Sequence, residues 1–425
     1  MTSSAAITNF SLLCTLRQTS FRPLAARVAC LAALPLAGAA IYATVRLAIA
    51  DSDYRANTTE SLTRAVRIEP GNAEYHELLA EHLEGEDHND DTDREAAAHL
   101  SPLDSKYWID LGVRAEANND PAQAEKLYLH AASIDRMFVP RWTLMNFYFR
   151  RQDSAKFWLW TQRALEMGYD DLTAAYRLCW RMTGDPRQIE RVLPANDEVR
   201  RNYLFFLVGT RRFQALSPLD HQVAAAATAA NYRPLLDYCE RVMIPNPRSA
   251  VAVWNALCEK GFIPFAPLDP AGNKIVTNHD FRIMPTERGF DWRVPIVDGT
   301  TVSVRNETSG LTVQLSGDQP EDCVLAQQYI ALTPERNYKL SYQYSSAAAV
   351  DSSGVTWQVV DALTSATLAQ SDAIKINGNA GSGQLEFNSG PGSIAILVLR
   401  YRREPGTVRH EESALIRSVE IEAQP

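Results

Sequence analysis

The feature that most constrains the fold is a change in the spacing of apolar residues near residue 262. Before it, apolar side chains recur at i, i+3 and i+4, as in Tyr176, Cys179 and Trp180, which is typical of helices. After it, they alternate with polar residues, as in VTWQVVD and YKLSYQYS, which is typical of strands. The sequence therefore predicts an all-α region followed by an all-β region.

The boundary between the two periods is the proline-rich stretch GFIPFAPLDPAG, which shows no helical spacing. We predict a linker over residues 263–273. Seven to nine short strand candidates follow without an intervening helix, separated by Gly, Ser, Asn and Pro clusters. This arrangement predicts a β-sandwich over residues 274–425.

The N-terminal region contains an uncharged apolar run over residues 28–45, flanked by Arg27 and Arg46. Its length is at the lower edge of what crosses a bilayer, and it can extend to residue 50 if Arg46 snorkels. Arginines precede the run and Asp51 follows it, so the positive-inside rule keeps the N-terminus in the cytoplasm. We predict a cytoplasmic segment over 1–27, a membrane helix over 28–50 and export of the rest, which makes a single-pass inner-membrane protein with a periplasmic body.

Two other interpretations of this run stay open. Ala48 and Ala50 have the small-residue spacing of a signal-peptidase site, so the segment is alternatively a cleaved signal sequence. An alanine-rich helix buried in a soluble domain is the third possibility, although the run has no amphipathic pattern to support it. Its length exceeds the usual apolar part of a signal sequence, which favours the uncleaved anchor.

Charge and cysteine content exclude several classes of protein. The formal net charge is −9, and the first fifty residues hold four arginines and no acidic residue, so residues 51–425 carry −13. A body this acidic is unsuited to nucleic acid, which we exclude as a partner. Six cysteines without a CxxC pair exclude a zinc ribbon and a disulfide scaffold. A Cys239–Cys258 bridge stays open, as does the redox state of Cys179 and Cys323.

The helical region contains a repeat. The segment KYWIDLGVRAEANNDPAQAEKLYLHA has large and small residues in a fixed order, and residues of the same type recur 33 or 34 positions later. These positions are Trp108, Leu111, Gly112, Ala124, Tyr128, Ala131, Trp142 and Ala164. The order and period resemble the tetratricopeptide repeat (TPR). The resemblance predicts a TPR-like α-solenoid over residues 51–262, with a groove that binds a protein partner.

No motif in the sequence has all the residues that a metal site or a catalytic centre requires. In HELLAEH the histidines His76 and His82 are six residues apart and point to different sides of a helix. The acidic stretch from Glu81 to Glu95 resembles a calcium loop, but Thr92 and Ala98 stand where an EF-hand needs Gly and Glu. We predict no metal, no cofactor and no enzymatic activity, since nucleophile elbows and phosphate-binding loops are also missing from the sequence.

The β-region resembles a known family. KIVTNHDFR followed by GFDWR is similar to the opening of family 4/9-type carbohydrate-binding modules, with Asn278, Phe281 and Trp292 at matching positions. The resemblance covers residues 274–421 and implies a jelly-roll, galactose-binding-like sandwich. It also implies a structural calcium ion, but Arg282 stands where the family has Glu, so we expect that site to be absent.

The resemblance suggests where a glycan would bind. The predicted ligand-binding residues are Trp292, Arg293, Trp357, Tyr342 and Tyr344. Aromatic rings stack on sugars, yet these four rings share strand faces with Val and Leu, so core packing is the competing interpretation.

Taken together, the anchor, the repeats and the FDWR-containing module resemble bacterial envelope proteins associated with exopolysaccharide and O-antigen assembly. The leading hypothesis is a non-enzymatic envelope scaffold that contacts a protein and a polysaccharide. The alternatives are a pure protein-interaction module capped by a structural sandwich, and a glycan-active enzyme.

Overall fold

The computed structural model describes residues 22–424 except 87–90, 170, 305–308, 347–348, 351–352 and 378–379. It divides into two compact units, residues 1–147 and 148–425. Helices occupy the chain up to Glu259 and strands begin at Thr300, so the predicted all-α and all-β regions are confirmed. The second unit contains both the later helices and the strands.

The first unit is helical. Its helices are α1 (Arg22–Ala56), α2 (Thr59–Ile68), α3 (Ala73–Gly85), α4 (Thr92–Leu100), α5 (Ser105–Ala117) and α6 (Pro121–Ile134), and α7 (Phe138–Arg150) contains the unit boundary. Side-chain oxygens of Asn72, Asp104 and Asp120 accept backbone N–H bonds at the starts of α3, α5 and α6. Such N-caps satisfy N–H groups that have no partner inside the helix, which fixes where each helix begins.

Helix α1 combines an apolar half with a packed end. Residues 33–56 form a helix long and apolar enough to cross a membrane by length and composition, which agrees with the predicted apolar segment. Its last turns belong to the helical body: Ala50 is fully buried in a cluster with Ala65 and Tyr75. Arg46 pairs with Glu69 at 2.7 Å.

The predicted repeat residues lie where helices pack. Ala124, Tyr128, Ala131 and Ala164 are buried, while Trp108, Leu111 and Trp142 are half-buried. A Cβ atom on Gly112 would lie 2.4 Å from the ring of Tyr128, so only glycine permits this approach of α5 to α6. The small positions therefore act as contact points between helices, and the TPR assignment itself stays a prediction.

The helices of the second unit are shorter and less regular. They are α8 (Ser154–Leu165), α9 (Thr173–Met182), α10 (Pro186–Glu190), α11 (Asp197–Gly209), α12 (Leu219–Ala225), α13 (Arg233–Val242) and α14 (Pro247–Glu259), with a short 3-10 helix over Phe213–Ala215. Proline stands in the first turn of α10, α13 and α14, where its missing N–H has no helical partner to lose.

The strands form a sandwich of two sheets. They are β1 (Thr300–Val304), β2 (Leu311–Ser316), β3 (Asp322–Ala331), β4 (Asn337–Ser346), β5 (Ala349–Val350), β6 (Val355–Asp361), β7 (Thr367–Gln370), β8 (Ile376–Asn377), β9 (Ala380–Asn388), β10 (Ile394–Arg402) and β11 (Glu411–Ala423). One sheet has the order β1-β2-β11-β4-β9 and the other β3-β10-β6-β7, all antiparallel, and β5 pairs with β8. Inward side chains of both sheets form one core.

The segment predicted as a linker, 263–273, is packed against the helices. Phe265 stacks on Trp254 of α14, with ring centroids 6.2 Å apart. Asn255 donates from Nδ2 to the carbonyl of Leu268 at 2.9 Å and accepts the Leu268 N–H at 2.7 Å. The sandwich is therefore fixed to the last helix.

The cysteines whose side chains the structure describes are all free thiols, namely Cys179, Cys239, Cys258 and Cys323. Burial raises the pKa of Cys179 and of Cys258 to about 12, so these two thiols stay protonated and unreactive at neutral pH. The bridge left open by the sequence between Cys239 and Cys258 is not formed.

Candidate functional site

The predicted aromatic binding residues lie inside the sandwich. Trp292 and Trp357 have no exposed surface, and Tyr342 and Tyr344 are only 6% and 7% exposed. The rings of Trp292 and Trp357 pack with centroids 5.9 Å apart. A ring needs a free face to stack on a sugar, so this arrangement favours the competing interpretation, in which all four rings are core residues.

Glycines on the neighbouring strand make room for two of these rings. A Cβ atom on Gly383 would lie 2.2 Å from the hydroxyl of Tyr342, and one on Gly381 would lie 2.5 Å from the ring of Tyr344. Strand β9 thus leaves space for β4 rings that point inward.

The GFDWR segment joins the sandwich to the helices. Gly289 has φ +56°, and a Cβ atom there would lie 2.4 Å from the ring of Trp254. Its N–H donates to Glu240 Oε1 at 3.1 Å, and Phe290 packs edge-on against Trp254. The predicted binding residue Arg293 is part of this joint, because its guanidinium donates to Glu240 at 3.1 Å.

Buried polar bonds hold the same segment in place. Asp291 is fully buried and accepts from the backbone N–H and the hydroxyl of Thr286, at 2.5 and 2.8 Å. Burial raises the pKa of Asp291. Trp292 Nε1 and Gln328 Nε2 both donate to the carbonyl of Thr277, at 3.1 and 3.0 Å. The motif that suggested a ligand site therefore has a structural role.

A different surface of the sandwich has the chemistry of a binding site. On the outer face of the four-stranded sheet, Gln327, Val398, Gln358 and Gln370 lie directly opposite one another on β3, β10, β6 and β7. Residues opposite each other in antiparallel strands share a face, and the next residue along each of β3, β10 and β6 points into the core. We call this surface, with Tyr329, the glutamine face.

Three glutamines and one valine form a row across the glutamine face. Val398 and Gln358 are only 6% and 7% exposed, whereas Gln370 is exposed. Gln358 Nε2 donates to Gln370 Oε1 at 3.1 Å. Four adjacent strands about 4.8 Å apart extend the row over roughly 14 Å. The arrangement offers uncharged donors and acceptors in a line, which suits a chain of hydroxyl groups.

The joint, formed by the GFDWR segment (residues 289–293) with Glu240 and Trp254 of the helices, also touches the edge of the glutamine face. The guanidinium of Arg293 lies 4.9 Å above the ring of Tyr329. Its backbone pairs with Gln327 through two bonds of 2.8 and 2.9 Å, which adds residue 293 to the edge of β3. The glutamine face and the helices are therefore connected through one arginine.

The sequence alone did not reveal the glutamine face. The sequence signal for this face was the alternation of inward and outward side chains along each strand. In VTWQVVD the buried Trp357 and Val359 flank Gln358, so Gln358 points outward. Neighbouring glutamines on three strands become a row only when the strand order and register are known.

A cleft of about 470 Å³ lies beside the NHDFR segment. Among the side chains that line it, Arg282 pairs with Asp280 at 2.7 Å, and His279 Nε2 lies 3.7 Å from a carboxylate oxygen of Glu420. Among the side chains that the structure describes, no group of three or more His, Cys, Asp or Glu is placed to hold a metal ion. The absence of a calcium site stays a prediction.

No protein family model and no curated protein matches the chain. Among solved structures, a CBM4 module is similar over 35% of this chain and 99% of its own, with 10% identity and a TM-score of 0.29. A CBM6 module from Cellvibrio mixtus lichenase 5A, in complex with cellotriose, covers 31% and 92%, with 13% identity and a TM-score of 0.22. TmCBM61, in complex with β-1,4-galactotriose, covers 31% and 88%, with 12% identity and a TM-score of 0.23. Each of these modules is similar to about a third of this chain.

Proposed function

We propose that this protein is a non-enzymatic, membrane-anchored scaffold of the cell envelope whose β-sandwich binds a polysaccharide chain on the glutamine face. The observation that carries the proposal is the row formed by Gln327, Gln358 and Gln370 across adjacent strands. Each primary amide supplies both donors and an acceptor, as sugar hydroxyls require. The absence of charge in the row favours an uncharged stretch of glycan.

The test uses the full chain in detergent micelles, because the contacts with α14 make the isolated sandwich an unsuitable sample. Affinity electrophoresis against a panel of neutral polysaccharides should show retardation of the wild type. The double variant Gln358→Ala/Gln370→Ala should lose about tenfold or more in affinity, since two polar contacts are removed. Gln314→Ala/Gln384→Ala is the control for loss of two glutamines elsewhere, because both are exposed on the other sheet.

The two outcomes are distinct. Equal retardation of both double variants would remove the glutamine face from the proposal. Absence of retardation by every polysaccharide in the panel would count against glycan binding by the sandwich as a whole.

We further propose that α1 is retained as the anchor. The signal-peptidase pattern ends at Ala50, which is buried against Ala65 inside a continuous helix. Cleavage after Ala50 would also remove Arg46, the partner of Glu69. Intact mass spectrometry of C-terminally tagged protein from native membranes should give the full-length mass, and a mass lacking residues 1–50 would contradict retention.

For the helical region, the proposal is a protein partner in surface-polysaccharide assembly or export. Two exposed apolar side chains have the spacing of the predicted repeat: Leu103 (81% exposed) and Met137 (56% exposed) are 34 residues apart. Exposed apolar residues on a repeat array are typical of partner surfaces. In this proposal the N-terminus is cytoplasmic, residues 28–50 cross the inner membrane and residues 51–425 lie outside it.

A second candidate function is a pure protein-interaction module in which the sandwich is a structural cap. The joint favours it, because Trp254, Gly289 and Glu240 fix the sandwich directly to the helices. Crosslinking mass spectrometry in native membranes distinguishes the candidates: polysaccharide-assembly proteins as partners favour the scaffold, and unrelated secretion or division proteins favour the cap. We expect no release of reducing ends from polysaccharide, and its detection would establish an enzyme instead.

A further inference from the structure

The charge of the helical region reverses at the boundary between the two units. Residues 51–147 contain twenty acidic and nine basic residues, whereas residues 148–212 contain eight acidic and twelve basic residues. The second stretch is thus a positive segment within a chain of net charge −9. Concentration of one sign in an oppositely charged protein creates a local potential that attracts ligands of the other sign.

Part of this positive charge is gathered on α9. Arg177, Trp180 and Arg181 stand at i, i+3 and i+4, so they share one face of the helix. The guanidinium of Arg212 lies 4.1 Å above the ring of Trp180, and that of Arg181 lies 5.0 Å above the ring of Phe149. We call these residues, with the adjacent Arg211, the arginine face.

The four guanidinium groups of the arginine face are exposed. Within the part of the chain that the structure describes, none of them is in a salt bridge. Asp171 is an acidic neighbour: hydrogen bonds from Thr173 lower its pKa, and the charge of Arg177 adds to this lowering. Exposed cations outside any salt bridge, two of them over aromatic rings, form a surface suited to an anionic ligand.

The chemistry of the guanidinium group determines which anion such a surface would bind. Its N–H groups form a fork that matches a carboxylate. The guanidinium groups of Arg181 and Arg212 lie over aromatic rings and both residues are exposed. Two such groups can contact successive acidic groups of a chain polymer.

We infer that the arginine face binds the carboxylate groups of an acidic polysaccharide, as a second glycan surface in addition to the glutamine face. The inference rests on the proposed function in one respect, namely that the ligand is a glycan. The acidic first unit would repel the same polymer, so the charge reversal restricts binding to the second unit. Two surfaces on one unit would also raise the affinity for a single long chain.

The experiment compares polygalacturonate with its methyl ester, which has the same backbone without the charge. Full-length protein in detergent micelles is titrated with each polymer at low and at physiological salt. We expect binding of polygalacturonate to be at least about tenfold tighter than binding of the ester, and to weaken steeply with salt. Equal affinity for both polymers would overturn the inference.

Variants locate the effect. Arg181→Gln/Arg212→Gln should lower the affinity for polygalacturonate about tenfold or more, while Arg181→Lys/Arg212→Lys should keep part of it, because charge is retained without the planar fork. Arg241→Gln/Arg248→Gln is the control with the same loss of charge at two other exposed arginines. If this control weakens binding as much as the Arg181/Arg212 pair, net charge and not the arginine face is responsible.

The two proposed glycan surfaces can be contradicted independently of each other. Gln358→Ala/Gln370→Ala should leave the difference between polygalacturonate and its ester intact, because that difference depends on charge. If an acidic protein or anionic lipid vesicles bind at the arginine face and polygalacturonate does not, the inference is wrong while the glutamine face is unaffected.

Discussion

The core and the outer face of the β-sandwich are formed by alternate residues of the same strands, and the two sets differ in what they contact. Trp357 and Gln358 are neighbours on β6, yet Trp357 packs with Trp292 in the core and Gln358 bonds to Gln370 on the outer face. The large rings that suggested sugar binding pack in the core, and the smaller amides form the surface that we propose as the glycan site. The comparison shows that residue type alone does not identify a binding site in a two-layered sheet.

The strongest test of this division is Trp357→Ala. The ring has no exposed surface, so its removal leaves a large cavity between the sheets, and we expect a loss of about 3–5 kcal/mol in the free energy of unfolding. Urea unfolding of the full chain, followed by circular dichroism, measures the loss. Gln384→Ala, an exposed change on β9 of the other sheet, should alter stability by less than about 0.5 kcal/mol, and similar losses for both variants would break the distinction between inside and outside.

A buried carboxyl makes the inside sensitive to pH. Glu412 on β11 is only 6% exposed, and burial raises its pKa to about 7 from the ordinary 4.5. An acid whose pKa is higher in the folded state favours folding while it is protonated. Its contribution is therefore complete below pH 4.5 and is lost as the pH rises through 7, a change of roughly 3 kcal/mol.

Urea unfolding at pH 5, 6, 7 and 8 measures this dependence. Glu412→Gln should flatten the profile, because the side chain no longer titrates. Glu411→Gln is the matched control, since its side chain is exposed one residue away, and its profile should follow that of the wild type. A Glu412→Gln profile as steep as that of Glu411→Gln would show that other groups govern the pH dependence.

The joint at Gly289 tests whether the GFDWR segment is structural. Gly289→Ala places a methyl group against the Trp254 ring and puts alanine at φ +56°. We expect a loss of about 2 kcal/mol, seen as faster hydrogen exchange in α14 and in residues 289–293. Gly390→Ala is a matched control, because Gly390 has φ +59° and open space around it; the difference between the two variants isolates the contact with Trp254. Equal exchange in both would mean that the helices and the sandwich are held together elsewhere.

Local spacing made part of this architecture predictable from the sequence. The helical period indicated the helices, and the 34-residue return of Trp108 at Trp142 singled out Gly112 as a close-packing position. The alternation around Trp357 also predicted that its side chain points inward, because Val355 and Val359 are each two residues away and lie on the same face of the strand. The contacts of Glu240 with Gly289 and Arg293 had no such signal, since they join residues about fifty positions apart in a helix and a loop. The glutamine row likewise depends on strand order, which local spacing does not determine.

The smallest expected effect is the link between the joint and the glutamine face. Arg293 contacts Glu240 at 3.1 Å and lies 4.9 Å above Tyr329. A double-mutant cycle of Arg293→Gln and Tyr329→Phe should give little coupling, because phenylalanine keeps the aromatic face, whereas a cycle with Tyr329→Leu should give about 0.5–1 kcal/mol. Equal coupling in both cycles would assign the interaction to the Tyr329 hydroxyl. A full-size coupling in the leucine cycle that disappears in Glu240→Gln would instead show that Glu240 positions the guanidinium, so that the helices control the border of the glutamine face.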